Sequence, residues 1–77
     1  MKCFLSFADD YGMDDALFYP TKRAALLKFE KVAQELARYG QKCEASIYLA
    51  PSRAALTNYP DFVCSVGPRG GIKVERA

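Results

Sequence analysis

The side chains best suited to chemistry are four aspartates, three cysteines and one glycine-rich turn. Asp9, Asp10, Asp14 and Asp15 fall within seven positions of one another around Tyr11 and Gly12. Such carboxylates could hold a hard cation such as calcium or magnesium. The spacing departs from the calcium-loop pattern, because the D-x-[DN]-x-[DN]-G order and the closing glutamate are absent. The plain alternative is a solvated acidic loop; between that and a metal site stands an acidic recognition loop pairing with basic groups on a partner, which is preferred slightly to the metal, and no metal is expected. Cys3, Cys43 and Cys64 are odd in number, far apart and without a C-x-x-C pair. That spacing argues against a disulfide framework or a zinc site and for small buried apolar side chains. Gly67-Pro68-Arg69-Gly70-Gly71 looks superficially like a phosphate loop, but no Gly-Lys-Ser/Thr follows and no helix begins there. It reads as a hairpin turn displaying Arg69 at its tip. There is no histidine. Ser-His and Cys-His nucleophile pairs are therefore excluded, and the commonest general base near neutral pH is missing. The chain is expected to be no enzyme and to need no cofactor.

These residues must be positioned by a small scaffold. At 77 residues with 51% apolar composition, the chain suits one compact α+β domain, 1–77, with a modest core. No apolar run approaches the length of a membrane span. Met1-Lys2-Cys3 leads straight into alternating apolar residues and not into a signal-type block, so a cytoplasmic protein is expected. Charge is unevenly spread. Lys2 against the four aspartates leaves residues 1–20 at −3. Ten Lys/Arg against Glu30, Glu35, Glu44, Asp61 and Glu75 leave residues 21–77 at +5, for a net charge of +2. An acidic and a basic patch could coexist.

Lys2 to Ala8 alternates and predicts a strand, with Cys3, Leu5 and Phe7 on one face and Lys2, Phe4 and Ser6 on the other. Ala16 to Tyr19 suits a short extended segment paired back on it. Pro20 biases Tyr19 away from helix, and Thr21 is an acceptable N-cap. A helix then spans Lys22 to about Tyr39, with Ala25, Leu26, Phe29, Val32, Ala33 and Leu36 as one apolar stripe and Gly40 as its stop. Lys22 and Arg23 in the first turn run against the helix dipole, which marks them as a candidate recognition surface. Cys43 to Leu49 alternates as a second strand. A short helical turn is expected from Ser52 to about Asn58, then strands at Phe62–Val66 and Ile72–Glu75 joined as a hairpin. The expected order is β-α-β-short helix-β-β, with the long helix across a three- or four-stranded, mainly antiparallel sheet. The outward sheet face would carry Phe4 and Tyr48 among polar groups, a candidate protein-contact patch unless residues 50–60 or a second copy cover it.

Three stretches carry a likeness to known proteins. They are Thr21-Lys22-Arg23-Ala24-Ala25-Leu26-Leu27, Glu35-Leu36-Ala37-Arg38-Tyr39-Gly40, and Tyr59-Pro60-Asp61-Phe62-Val63 with Ser65-Val66-Gly67-Pro68-Arg69-Gly70-Gly71. In these the chain resembles the short proteins of phages and mobile elements, of which anti-CRISPR proteins are the best understood. The resemblance implies a protein that binds a CRISPR-Cas effector subunit so that target DNA is excluded or cleavage fails. Many such proteins are strongly acidic DNA mimics. This chain is not, which favours steric or allosteric inhibition. The residues expected to meet a partner are Asp9, Asp10, Tyr11, Asp14, Asp15, Lys22, Arg23, Tyr48 and Arg69. The second expectation is a nucleic-acid-binding protein using Lys22, Arg23, Lys28, Lys31, Arg69 and Lys73. Either would be a monomer or a homodimer.

Overall fold

The computed structural model describes residues 1–7 and 16–77. Its elements run β1 (Lys2–Phe7), β2 (Leu17–Tyr19), α1 (Lys22–Ala37), β3 (Ala45–Ala50), a single 3-10 turn (Arg53–Ala55), β4 (Phe62–Val66) and β5 (Ile72–Arg76). The strands form one five-stranded sheet in the order β2-β1-β3-β4-β5, every pair antiparallel. The short segment at Leu17–Tyr19 is thus a fifth strand, against the three or four expected. It sits on the outer edge of β1, with Phe4 opposite Phe18 and Leu5 opposite Leu17.

The helix forms where its stripe and caps agree. The Thr21 hydroxyl accepts a hydrogen bond from the Ala24 N–H at 3.1 Å, satisfying one of the orphan donors of the first turn. Ala25, Phe29 and Ala33 are buried, with Leu26, Val32 and Leu36 packed beside them. Regular helix ends at Ala37, two residues before the expected Tyr39. There the Gln41 N–H reaches the Leu36 carbonyl and the Gly40 N–H the Ala37 carbonyl, closing a Schellman motif with Gly40 at φ +69°.

Against this stripe the sheet sets Cys3 and Leu5 of β1, Cys43 just before β3, Ala45 and Ile47 of β3, and Cys64 of β4. Phe7 of β1 stacks on Phe29, ring centroids 6.3 Å apart. The expected alternation of β1 and β3 holds, but β3 begins at Ala45 and not at Cys43. Of β3, only Ala45–Ile47 pairs with β4. Beyond that point Asp61 takes over: its N–H donates to the Ile47 carbonyl and its carboxylate accepts from the Leu49 N–H at 2.7 Å. A side chain thus continues a ladder that the backbone has left.

The other face of the sheet corrects an expectation. Phe4 and Tyr48 are buried, in a second cluster with Ala16 and Ala50, and Leu56 packs against it. The Arg53 guanidinium lies 5.3 Å from the Phe4 ring centroid and donates to the Ala16 carbonyl. Residues 50–56 therefore cover the face over β1 and β3. The helix expected there stops after one 3-10 turn, because Leu56 is already extended and the Thr57 hydroxyl bonds the Tyr59 backbone just before Pro60.

Candidate interaction surface

Of the residues expected to meet a partner, Asp9, Asp10, Tyr11, Asp14 and Asp15 lie outside the described residues. Tyr48 is only 7% exposed, so it offers no bare aromatic surface. Its neighbours on the far side come from the segment after β3, and packing between distant elements is what the local alternation could not display. Arg69 is exposed in the turn between β4 and β5, as expected. Gly70 there takes φ +84°, and its N–H bonds the Gly67 carbonyl.

Lys22 and Arg23 are both exposed. Lys22 has a counterpart that the sequence hid: its ammonium lies 3.9 Å from the centroid of Phe62, forty residues on. Attraction to the ring face offsets the unfavourable end of the helix dipole. The broken helix rule therefore has a packing explanation at Lys22, while Arg23 has none among the described contacts. The six cations expected of a nucleic-acid surface do not share one side. Lys22, Arg23, Lys28 and Lys31 are on α1, whereas Lys73 stands opposite Ser65 on the face turned away from the helix. There its ammonium pairs with Glu75 at 2.9 Å, and that carboxylate raises the lysine's pKa above its ordinary value.

The cysteines are buried, and none is in a disulfide. Burial raises the thiol pKa of Cys3 and Cys64, with the Lys22 charge acting in the opposite direction on both. Thiols held protonated are poor nucleophiles. Among the described residues no group of three His, Cys, Asp or Glu could hold a metal ion. The largest groove runs between the end of α1 and the β4–β5 hairpin, lined by Ala33, Ala37, Cys43, Val66 and Pro68 among others. Lys42, Glu44 and Ser65 also line it, and no hydrogen bond links Ser65 to Lys42 among the described contacts.

Among the exposed apolar residues, two neighbours lie on one sheet edge. Leu17 is 53% exposed and Phe18 49%. They are consecutive residues of β2, so their side chains emerge on opposite faces of the same edge. Phe18 is backed by Phe4, edge to face at 5.8 Å, and by the Lys2 ammonium 5.9 Å from its ring centroid. These two residues were not among those expected to bind. A signal existed in Leu17-Phe18-Tyr19, an apolar run following an acidic stretch and cut short by Pro20. A three-residue strand so bounded belongs at an edge.

The molecule is thus an α+β domain with one helix on a five-stranded antiparallel sheet, and none of its helices is long and apolar enough to cross a membrane among the described residues. No protein-family model matches the chain, no curated protein matches its sequence, and no solved structure matches its fold.

Proposed function

We propose that this chain works by docking on another protein, with no reaction of its own. In this reading it is an anti-CRISPR protein from a phage or mobile element, blocking a CRISPR-Cas effector complex sterically or allosterically in the host cytoplasm. The observation that carries a docking role is the β2 edge, where Leu17 and Phe18 are each about half exposed. Aromatic residues held in place by a scaffold are typical anchors of protein interfaces. Among the described residues β2 pairs only with β1, so its outer side suits an incoming segment.

Charge indicates the kind of partner. Asp9, Asp10, Asp14 and Asp15 immediately precede β2 in the chain. A sequence that joins four carboxylates to an apolar strand suits a partner carrying both basic and hydrophobic groups. CRISPR effectors hold nucleic acid in a positively charged channel, so they present such surfaces. The net charge of +2 argues against imitation of a duplex and for obstruction by contact.

The test is co-elution of the purified chain with effector complexes of several CRISPR types, alongside interference assays with each. A stable complex and loss of interference with at least one type is expected. Absence of both across the panel removes the reading.

A further inference from the structure

The opposite edge of the sheet is built differently, and its pattern is self-complementary. Strand β5 reads Ile72-Lys73-Val74-Glu75-Arg76 and, among the described residues, pairs only with β4. Two hydrogen bonds fix which of its groups face outward. The Gly67 N–H donates to the Gly71 carbonyl at 2.7 Å, and the Ala77 N–H to the Asp61 carbonyl at 3.2 Å. Both lie in the same register as Val63 opposite Glu75 and Ser65 opposite Lys73. In an antiparallel ladder the bonded pairs alternate with non-bonded ones. Lys73 and Glu75 therefore turn their backbone groups toward β4, while Ile72, Val74 and Arg76 turn theirs toward the open edge.

We propose that the β5 edges of two copies of this chain pair antiparallel about a two-fold axis through Val74, joining the two sheets into one of ten strands. In that register Val74 exchanges hydrogen bonds with Val74 of the partner subunit, and Ile72 and Arg76 of each chain do so with one another. Lys73 then stands opposite Glu75 of the partner subunit, and Glu75 opposite its Lys73, in non-bonded pairs where side chains are closest. The existing Lys73–Glu75 ion pair, both side chains 62% exposed, becomes half of a ring of four alternating charges. The neighbouring registers that keep the same groups facing outward set Lys73 against Lys73, or Glu75 against Glu75. Like charges directly opposite are destabilising, so the charge pattern selects one register. On the helix side, α1 leans over β1, β2 and β3 and leaves Val74 36% exposed. The two-fold brings the two valines together there. The contact is isologous and closes on itself, so it stops at two chains.

The test is sedimentation velocity on the full chain and on the variants Lys73→Glu and Glu75→Lys, alone and mixed. The wild-type chain should move from a monomer of 8.6 kDa to twice that mass as its concentration rises. Each variant alone places like charges opposite and should dimerise about tenfold more weakly. An equimolar mixture of the two variants restores opposite charges at both positions and should dimerise as the wild type does. Circular dichroism verifies that each variant is folded. A wild-type chain that stays monomeric up to about 1 mM overturns the proposal. So do variants that dimerise as tightly as the wild type, and so does a mixture no tighter than its components.

Discussion

Among the described residues neither outer edge of this sheet is paired with a further strand, and the two edges differ in chemistry. The β2 edge is three residues long and presents Leu17 and Phe18, each about half exposed. The β5 edge is five residues long, with Lys73 and Glu75 on one face and Ile72, Val74 and Arg76 on the other. The exposed side chains of β2 are apolar and impose no register of their own, whereas alternating charges of opposite sign admit only a register that matches them. One sheet can therefore carry a contact for a foreign protein at one end and a contact for its own kind at the other. Both edges hang on the same core, and their independence can be tested.

The largest effect should come from that shared core. Phe29 is fully buried, stacks on Phe7 and joins α1 to the sheet. Phe29→Ala is expected to lower the unfolding free energy in urea by about 3–5 kcal/mol. For a domain this small that is most of its stability, so both edges should fail together. A variant that lost one contact and kept the other would break the picture of a single support.

Phe18→Asp should act on one edge alone. Partner affinity is expected to fall by about thirtyfold or more, as for the loss of an interface anchor, while loss of the contact with Phe4 lowers the melting temperature by only about 4–8 °C. Self-association through β5 should persist.

A smaller and more local effect is expected at Arg53. Its guanidinium covers Phe4 and bonds the Ala16 carbonyl, the residue that leads into β2. Arg53→Ala should cost about 1–2 kcal/mol. Hydrogen exchange should quicken at the β1–β2 pairing and stay unchanged at β4–β5.

The smallest effect is common to both ends. Cys3 on β1 and Cys64 on β4 have thiol pKa values raised by burial. In the unfolded chain these thiols lose their protons near the ordinary value of 9.0. Above that pH the unfolded state binds fewer protons than the native one, so stability falls as pH rises. Urea midpoints should be level below about pH 9 and decline above it, and the decline should be shallower in Cys64→Ala.

Much of the fold was legible because its signals are local. The stripe from Ala25 to Leu36, the Thr21 cap and the Gly40 stop located α1 to within two residues. Alternation placed Cys3, Leu5, Phe7, Ala45 and Ile47 on the helix side. What escaped is set by contacts between distant segments. Tyr48 alternates outward as expected, yet it is buried in the cluster that residues 50–56 close over, and alternation reports a face without reporting what covers it. Lys22 looked like a dipole misfit until Phe62 was brought beneath it. Leu17 and Phe18 read only as a short strand, since whether a strand ends up at an edge depends on the order in which all five assemble.

The most direct test of the division between the edges is co-elution with a CRISPR effector complex that binds the wild-type chain, repeated with Phe18→Asp and with Lys73→Glu. Loss of binding in the first variant and retention in the second is the predicted result. Retained binding by Phe18→Asp, or its loss in Lys73→Glu, would contradict the assignment of the foreign contact to β2.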